Sequence, residues 1–597
     1  MPPRNLKFYL LRFKNASTGE LLYRIRQALS ALYAKKRRQF LIQGIPSLSI
    51  QILDGILLPG LSLKVDQSLV ERILAGKTFY LDDDQKSCEE PYDKMLETGP
   101  RTDIRSLWEP ARLQHLLILL LCSRQDIEQE EQIADFVGSE VLKWLDSNPF
   151  PCGPHYASAM ECGLRIPVFL HILKLLKNLD PEDSRRIAQA IYLHAWWISN
   201  RLSLYSSLGN HTIAECAGLV FAGIVFRNSP VGKSWLKTGK AILKQEAYHQ
   251  ILPDGGPAEQ SINYHRFVLD LYWYCLDFLE KNGDPELASL MPRLSAGEHF
   301  LSVMQTGKAD WPALGDSDDG YAVAPGVIPR RMQSDFAPVE YKTFPESGYS
   351  VFCTQNGTRL IFDHGPLGMP PLYNHGHADA LSIILSKEGL PFLVDPGTYR
   401  YNGNPEYRRY FKSTRAHNTV TVDKMDQAVQ ETGFVWSHAY SSRITRSRID
   451  QNGMMIEAKH DGYAMLKNNV WHSRTILNDH DTFIIKDQFD GVGQHEFELN
   501  YHLHPDAEVT FESGWWRIQH GKITLYLTLL KGDSLLPFCG KENPLLGWFS
   551  PSYGMKSACS VLQCRKAGHV HAVEFITAIC TGDVLSGREL EALACRV

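Results

Sequence analysis

The segment Asn374–Asp379, with the sequence NHGHAD, holds the residues of this chain best suited to chemistry. His375 and His377 are two residues apart, and on an extended strand both side chains point to the same face of the sheet. Such a face can bind a metal ion or present a base to a substrate. For any one of these histidines the alternative is a buried ring that hydrogen bonds within the fold. Asp395 and His417 follow in the same strand-rich region and can join the cluster.

Two further groups of polar residues lie in the preceding, helical half. Asn210 and His211 come directly before an apolar helical segment, with Glu215 one turn further along. An Asn at such a place can alternatively cap the helix by accepting its unpaired amide hydrogens. The second group, Glu259–Arg266, follows a Gly-Pro turn and is polar at successive helical positions, so part of it must face polar surroundings. Tyr264, inside this group, can alternatively be a core tyrosine.

Together these residues suit one reaction, the β-elimination of a uronic acid. Removing the C5 proton requires a base, and the adjacent carboxylate must be neutralised because its charge makes that proton very weakly acidic. An Asn amide and an imidazole, such as Asn210 and His211, can bind the carboxylate and stabilise the developing enolate-like charge. A histidine or tyrosine, such as His375 or Tyr264, can take the proton, and a tyrosine can protonate the leaving oxygen. No redox cofactor is needed.

The surrounding sequence predicts an α domain followed by a β domain. Over Ser106–Gln305 apolar residues recur at helical spacing between Gly, Pro and Asn punctuation, which is typical of helix-on-helix packing. After Pro338 short alternating or apolar runs predict an antiparallel β-sandwich. Gly315–Gly320 is interpreted as the linker. Helices are also expected at Thr18–Tyr33 and Ser68–Leu74. The predicted strands are Tyr349–Phe352, Arg359–Phe362, Leu381–Leu385, Thr419–Val422, Thr482–Ile485, Phe497–Leu503 and Ile523–Leu530.

Bulk composition narrows the class of protein. A chain of 597 residues is too long for a single core, and we expect a mostly helical segment over 1–90, a helical catalytic domain over 91–330 and a β domain over 338–597. The net charge of −5 argues neither for nor against a polyanionic partner, and no nucleic-acid motif accompanies the isolated basic run Lys35–Arg38. The longest apolar run, Leu116–Cys122, is too short to span a bilayer.

The 12 cysteines include no CxxC pair and are interpreted as free thiols. Together with an N-terminus that lacks the pattern of a secretory signal, this favours a cytoplasmic location, with the periplasm as the alternative. The sequence makes no prediction of the oligomeric state.

The chain resembles the heparinase II/III-like family of polysaccharide lyases from about residue 15 onward. The motifs that carry this resemblance are Trp108–Arg112, Asn210-His211, Gln260–Tyr264, Gly315–Asp318, Asn374–Asp379, Asp395–Gly397 and Thr414–Thr419. The resemblance implies an incomplete (α/α) toroid followed by an antiparallel β-sandwich. It also implies that Asn210 and His211 contact the uronate carboxylate, that Tyr264 acts as acid and possibly base, and that His375 acts as base or charge neutraliser.

The same resemblance implies a structural divalent metal ion, most simply zinc, held by His377, Asp395 and His417. Two imidazoles and one carboxylate form a credible zinc site when water completes the shell. The third ligand is open, because His460 can compete with His417 for it. A hydrogen-bonded network without metal is the alternative. A metal at this point would hold the backbone that carries His375.

Further residues are interpreted as neighbours of the substrate. The candidate substrate-binding residues are Glu161, Arg165, Glu215, Glu259 and Arg415. Arg415 closes a basic, Tyr-rich stretch whose arginines can hold carboxylates or sulfates in bidentate fashion, or can simply be solvated. One tyrosine of that stretch can assist catalysis, and its spacing does not select among Tyr399, Tyr401, Tyr407 and Tyr410.

The sequence thus predicts a carbon–oxygen lyase that cleaves a uronate-containing acidic polysaccharide or oligosaccharide. The first alternative is a glycoside hydrolase of similar architecture, with acidic pairs drawn from Glu161, Glu215, Glu259 and Asp254. The second is a non-catalytic glycan-binding protein or a protein of an exopolysaccharide pathway. Neither the polymer nor endo or exo action can be predicted, since many uronate polymers, including bacterial exopolysaccharides, present the same carboxylate.

Overall fold

The structure, a computed structural model, describes residues 17–46, 53–64, 67–76, 103–124, 130–177, 179–205, 208–307, 311–331, 339–450 and 453–597. The chain divides into two compact units that do not follow chain order. The first unit draws its described residues from Met1–Gln250, Arg266–Leu294 and Gly320–Gln333. The second draws them from Ile251–His265, Ser295–Asp319 and Ser334–Val597, so it includes two segments of the helical half.

The first unit is built from helices. The described helices before the strands of the second unit are α1 Thr18–Lys36, α2 Arg38–Gln43, α3 Gln67–Leu74, α4 Arg105–Ala111, α5 Gln114–Cys122, α6 Glu130–Ser147, α7 Ala159–Leu175, α8 Pro181–Ser199, α9 Asn210–Val225, α10 Pro230–Gln250, α11 Ile262–Lys281 and α12 Met291–Met304. The start of α11, up to His265, and the part of α12 from Ser295 onward belong to the second unit. Helices α7 and α9 are buried along nearly their whole length, which their apolar composition requires. A short antiparallel pair, β1 Leu61–Leu63 with β2 Val327–Pro329, completes the unit.

Local sequence explains where these helices begin. The Asp180 side chain accepts a hydrogen bond from the Glu182 amide, and Pro181 supplies the first helical residue of α8. The predicted helices at Thr18–Tyr33 and Ser68–Leu74 are confirmed as α1 and α3. Within the described part of the chain, every helix is too short or too polar to cross a membrane.

The second unit is dominated by antiparallel strands. They are β3 Tyr341–Phe344, β4 Tyr349–Cys353, β5 Thr358–Asp363, β6 Ile383–Lys387, β7 Leu390–Leu393, β8 Val420–Val422, β9 Val429–Gln430, β10 Trp436–Ser437, β11 Ser442–Asp450, β12 Gly453–His460, β13 Val470–Asp479, β14 Thr482–Gly491, β15 Gln494–His502, β16 Glu508–Glu512, β17 Trp515–His520, β18 Ile523–Lys531, β19 Leu536–Cys539, β20 Lys541–Glu542, β21 Leu545–Leu546, β22 Trp548–Phe549, β23 Ser557–Ala558, β24 Ser560–His569 and β25 Glu574–Cys580. Two helices accompany them, α13 Pro405–Lys412 and α14 Gly587–Ala594.

These strands form three larger sheets around one core. The orders are β3-β4-β5-β6-β7, β19-β24-β15-β8 and β11-β12-β13-β14-β25-β18-β17-β16. Phe352, Leu499 and Phe483, one from each sheet, belong to the same buried cluster. The strands predicted from the sequence are therefore confirmed, with ends that shift by a few residues. Apolar runs locate strands well because only the buried face must be apolar.

Candidate active site

The NHGHAD segment lies in the loop between β5 and β6 and not on a strand, so the same-face argument for His375 and His377 does not apply to it. Its backbone lies in close contact with the Leu367–Gly368 segment of the same chain. A Cβ on Gly376 would lie 1.5 Å from the Leu367 carbonyl oxygen, so this position requires glycine. The Trp436 indole N–H donates to the Gly376 carbonyl oxygen at 3.0 Å. This packing fixes the backbone of the residue between the two histidines.

Both histidines reach one carboxylate, Asp316, which the sequence had placed in a linker. His375 Nδ1 lies 3.1 Å from Asp316 Oδ2, and His377 Nε2 lies 3.1 Å from Oδ1. The Asp316 amide donates to the His375 carbonyl oxygen at 2.8 Å. Gly315 permits this approach, because its φ is +63° and a Cβ there would lie 2.9 Å from the His375 carbonyl oxygen. The two rings therefore share one carboxylate, each through a different oxygen.

Arg408 keeps this buried carboxylate ionised. Its guanidinium donates to both Asp316 oxygens, at 2.5 Å and 2.8 Å, in a bidentate pair. Burial raises the pKa of the Asp316 carboxyl, but the Arg408 charge and the imidazole hydrogen bonds outweigh it and hold that pKa well below its ordinary value. An ionised Asp316 accepts from His375 Nδ1, so the proton of a neutral His375 sits on Nδ1 and the lone pair on Nε2.

A second aspartate of the same loop holds Tyr264. The Tyr264 hydroxyl donates to Asp318 Oδ2 at 2.7 Å, and the Asn263 amide donates to Oδ1 at 2.9 Å. Tyr264 stands in the first turn of α11, where the Ser261 hydroxyl accepts from its amide at 3.2 Å. Its ring lies beside His375, with 4.0 Å between the ring centroids. The structure therefore brings two of the predicted catalytic residues together, each with its own carboxylate.

The structure also selects one tyrosine from the Tyr-rich stretch. Tyr401 Oη lies 2.9 Å from Tyr264 Oη. Tyr407 instead donates to Glu542, and the Tyr410 oxygen accepts from the Gly547 amide. The Tyr399 ring packs against Tyr407 and Phe411 in an aromatic cluster. We refer to Tyr264 and Tyr401 as the hydroxyl pair; together with His375 they form the candidate active site of the second unit.

A second cluster behind this site has the composition of a metal centre. His377, Asp379 and His417 each offer a ligand atom, and these atoms lie within 4.8 Å of one another. Asp395 adjoins them, with its Oδ2 3.5 Å from His417 Nε2. All four side chains are buried. His417, rather than His460, is therefore the second imidazole beside His377, because His460 contacts Gln427 and His472 instead.

The hydrogen-bond directions show that these residues fit a cation. His377 Nε2 donates to Asp316 and His417 Nδ1 donates to the Ser413 carbonyl oxygen at 2.8 Å, so the lone pairs sit on His377 Nδ1 and His417 Nε2. Those two atoms face each other at 3.3 Å. Burial lowers the pKa of His377 to about 4 and that of His417 well below its ordinary value, so neither ring supplies a proton between them.

The buried carboxylates of this cluster would also be stabilised by a nearby positive charge. Burial raises the pKa of Asp379 well above its ordinary value, and Asp363 and Asp395 raise it further. Burial likewise raises the pKa of Asp395, whose Oδ2 accepts no hydrogen bond from the described residues. A divalent metal ion would satisfy both facing lone pairs and the buried carboxylates. Asp379 is an additional candidate ligand that the sequence interpretation did not assign.

The helical unit holds the other two predicted catalytic residues. Asn210 and His211 are the first two residues of α9, and Gly209 occupies the cap position, so Asn210 is not the helix cap. Asn210 is buried. The loop before them is held by Glu215, which accepts from the Ser203 amide and hydroxyl, both at 2.7 Å. Because Asn210 and His211 belong to the first unit, their joint action with Tyr264 and His375 stays a prediction.

The predicted substrate-binding residues mostly have protein partners. Glu161 forms a bidentate pair with Arg112, at 2.8 Å and 2.9 Å, and both are buried. Arg165 is fully buried and donates to His194 Nε2 at 3.1 Å. Arg415 donates to Glu498 at 2.6 Å. Glu259 is buried. We interpret the first three residues as supports of the fold, and direct contact with a substrate stays a prediction for all five residues of that set.

The protein contacts of the acidic residues help to judge the glycoside hydrolase alternative. Burial raises the pKa of Glu215 to about 8 despite its Ser203 hydrogen bonds. Burial also raises that of Glu161, but the Arg112 charge outweighs it and the pKa is lowered. Asp254 accepts from the amides of Glu346 and Ser347. These contacts explain the residues as structural groups, so they do not favour a pair of glycosidase carboxylates.

Comparison with known proteins agrees with this architecture. Residues 128–321 match the heparinase II/III N-terminus family, and residues 337–577 match the heparinase II/III-like C-terminal family. The chain belongs to the heparinase II/III-like family. The predicted incomplete (α/α) toroid followed by an antiparallel β-sandwich is confirmed by a heparinase III crystal structure, with a TM-score of 0.69, 16% identity and coverage of 92% of this chain and 90% of that one.

Two curated relatives have a higher sequence identity than that structure but match a smaller part of the chain. A heparin-sulfate lyase from Bacteroides stercoris is 23% identical over 440 residues, which is 68% of this chain and 61% of that protein. A heparin-sulfate lyase from Pedobacter heparinus is 21% identical over 56% of this chain and 51% of that protein. The chain therefore spans about half to three-fifths of the length of these relatives.

Sequence reasoning missed the aspartates that hold the site together. Asp316 and Asp318 were interpreted as part of a linker because Gly and Asp are common in turns. Arg408 lies in the basic, Tyr-rich stretch that was interpreted as substrate-facing or solvated, but it is almost fully buried. One available signal was the family motif Gly315–Asp318 itself, since two carboxylates in a matched motif favour a role beyond connection.

Proposed function

We propose that this protein is a polysaccharide lyase that cleaves a uronate-containing acidic glycan by β-elimination. The observation that carries the proposal is the packing of His375 against Tyr264, with Tyr401 Oη 2.9 Å from Tyr264 Oη. This arrangement supplies proton acceptors and proton donors within a few ångströms, as elimination requires. Membership of the heparinase II/III-like family and relatives named heparin-sulfate lyases support the same reaction.

In this mechanism the hydroxyl pair manages the transferred proton. One tyrosine oxygen takes the C5 proton of the uronate while the C4–O4 bond breaks, and the other hydroxyl protonates the departing O4. The C5–H electrons form the C4=C5 double bond, which leaves an unsaturated uronate on one product. His375 pairs with the Asp316 carboxylate through Nδ1, and as an imidazolium it would also present an Nε2–H that stabilises the negative charge developing next to C5. Asn210 and His211 are assigned to the substrate carboxylate, as the family resemblance implies.

The substrate class follows from this chemistry and from the relatives. This elimination needs a carboxylate on C5, the carbon that loses its proton, so the substrate must contain a uronic acid. We propose an acidic glycosaminoglycan or a similar uronate polymer. Heparin-sulfate-type chains are the first candidates, because the named relatives are heparin-sulfate lyases.

A substrate panel tests the proposal. The purified protein is incubated with heparan sulfate, hyaluronan, alginate and a bacterial uronate exopolysaccharide, and new ultraviolet absorbance from an unsaturated uronate is recorded. We expect at least one polymer to give absorbance that grows in proportion to enzyme concentration. Chain shortening without new absorbance would instead indicate hydrolysis and contradict the proposed reaction. Binding of all polymers without turnover would indicate a glycan-binding protein.

We further propose that the metal ion is zinc and that its role is structural. In tetrahedral coordination with Zn–N bonds of about 2.0–2.1 Å, two ligand nitrogens lie about 3.3–3.4 Å apart. The 3.3 Å between His377 Nδ1 and His417 Nε2 agrees with that value. Asp395 or Asp379 would supply the carboxylate. The ion would brace the backbone that carries His375, two residues from His377.

Metal removal gives a direct prediction. We expect about one zinc per chain in the purified protein, measured by elemental analysis, and a strong loss of zinc in His417→Ala. Removal by a chelator should lower the free energy of unfolding by about 3 kcal/mol when free zinc was about 100-fold above its dissociation constant. The control is His460→Ala, which removes another buried histidine but should keep the zinc. Equal zinc content in wild type and His417→Ala would contradict the assignment.

A further inference from the structure

We propose that Asp318 is a positioning residue that receives the hydroxyl proton of Tyr264, and so allows a neutral Tyr264 to accept the C5 proton. This inference rests on the proposed lyase function and assigns the two tyrosines their separate roles. Asp318 was not among the residues assigned from the sequence. It is almost fully buried, and its Oδ2 accepts a hydrogen bond from the Tyr264 hydroxyl at 2.7 Å.

The direction of the hydrogen bonds follows from counting protons. An ionised carboxylate only accepts, so Asp318 accepts from the Asn263 amide on Oδ1 and from the Tyr264 hydroxyl on Oδ2. Tyr264 has a single hydroxyl proton, and that proton is committed to Asp318. The 2.9 Å contact between the two tyrosine oxygens must then be donated by Tyr401. The chain therefore runs from Tyr401 to Tyr264 to Asp318.

This direction distinguishes the two tyrosines as acceptor and donor. A carboxylate beside Tyr264 opposes negative charge on that oxygen, so Tyr264 is poorly placed to lose a proton to the substrate. It is well placed to gain one while its own proton passes to Asp318. Tyr401 has the opposite surroundings, because the Arg408 guanidinium carbon lies 4.8 Å from its ring centroid and favours negative charge there. Tyr401 is therefore the proton donor.

The resulting cycle balances without an outside reagent. As the C5–H bond breaks, its proton joins the Tyr264 oxygen and the original Tyr264 proton moves to Asp318. The C5–H electron pair forms the C4=C5 bond, the C4–O4 pair leaves on O4, and Tyr401 gives its proton to O4. Asp318 then returns its proton to Tyr264, and Tyr264 passes one to the Tyr401 oxygen. The net change is transfer of the C5 proton to O4.

The loop that carries Asp318 is fixed well enough for this role. The Ser261 hydroxyl donates to the Asp316 carbonyl oxygen at 2.6 Å, and the Ser317 amide donates to Thr398 Oγ1 at 2.6 Å. These bonds tie both residues before Asp318 to two different segments of the second unit. A carboxylate held in this way keeps its geometry while the proton moves, which lowers the reorganisation that the step requires.

Two substitutions test the inference on the full-length protein with the best polymer of the panel. In Asp318→Asn the amide keeps the size of the side chain but cannot take up the Tyr264 proton. We expect kcat to fall by about 100-fold or more while KM changes less than about twofold. Asp318→Ala should lose similar activity but leave a space for a small carboxylate. Added formate should then raise its kcat by about tenfold or more and leave Asp318→Asn unchanged.

The matched control is Asp319→Asn. Asp319 is exposed, accepts from the Tyr553 amide at 2.8 Å, and has a φ of +57° that asparagine also tolerates. We expect this variant to keep wild-type kcat. If the wild type catalyses elimination and the kcat of Asp318→Asn is within about threefold of the wild-type kcat, the inference is overturned and the proposed function stands. The same conclusion follows if formate does not restore activity to Asp318→Ala. Absence of elimination by the wild type on every polymer would instead overturn the proposed function itself.

Discussion

Tyr264→Phe is expected to lower kcat by about 10²–10⁴-fold, to the limit of detection, and to leave the fold intact. The substitution removes only the hydroxyl oxygen, which contacts Asp318 at 2.7 Å and Tyr401 at 2.9 Å. The ring remains, so its packing 4.0 Å from the His375 ring is preserved. Loss of one donor to a buried carboxylate should cost about 1–3 kcal/mol of unfolding free energy. Initial rates of absorbance and a thermal melt measure the two effects separately.

Tyr399→Phe is the matched control for that variant. Tyr399 belongs to the same Tyr-rich stretch, and its ring packs against Tyr407 and Phe411, so the aromatic contacts survive the loss of the hydroxyl. We expect turnover close to that of the wild type. Unchanged turnover in Tyr264→Phe would rule out the mechanism, whereas an equal loss in both variants would point to general disturbance of the stretch.

Asp316→Asn should have the largest effect on stability. The buried Arg408 guanidinium would lose its ionised partner, and an amide N–H₂ would face a guanidinium N–H or an imidazole. Breaking such a buried pair costs about 3–5 kcal/mol. Because the pKa of Asp316 is held low in the folded state, its contribution is present above its unfolded pKa of about 3.9 and is lost as the pH falls. Denaturant unfolding at neutral and acidic pH measures this loss.

Activity should fall together with stability in Asp316→Asn, since His375 loses the carboxylate that orients it. The comparison is Asp490→Asn, which breaks an exposed pair with Lys459 at 2.7 Å. Exposed pairs contribute about 0–1 kcal/mol, so this variant should unfold and turn over as the wild type does. Equal stability of Asp316→Asn and Asp490→Asn would show that the Asp316 network does not hold the site.

Much of the fold could be predicted from local patterns. Apolar spacing located α1, α3 and strands such as β4, β15 and β18. Burial of one face sets the spacing of apolar residues along the sequence, and this spacing can be recognised without knowing which elements pack together. The family motifs identified Tyr264, His375 and His377, whose residue types already indicate proton transfer or metal binding. The two-residue spacing of the histidines correctly linked them, since both rings reach the same carboxylate.

The supports of the site could not be predicted in the same way. Asp316 and Arg408 are 92 residues apart in sequence, and Tyr264 and Asp318 are 54 apart, so only the folded chain reveals the pairs. The loop geometry of Asn374–Asp379 depends on close approach to Leu367 and Trp436, which local sequence patterns do not show. Tyr401 could be distinguished from Tyr399, Tyr407 and Tyr410 only by the position of each hydroxyl in the folded chain. The spacing of residues in the sequence does not give those positions.

The products of the reaction test the central claim most directly. An oligosaccharide from the best polymer is digested by the wild type and by Tyr264→Phe, and the products are examined by mass spectrometry and ultraviolet absorbance. We expect the wild type to release a fragment that carries an unsaturated uronate at its new non-reducing end and is lighter by one water than the corresponding hydrolysis product, with matching absorbance, and Tyr264→Phe to release none. A wild-type product that carries the added water and lacks the absorbance would contradict β-elimination.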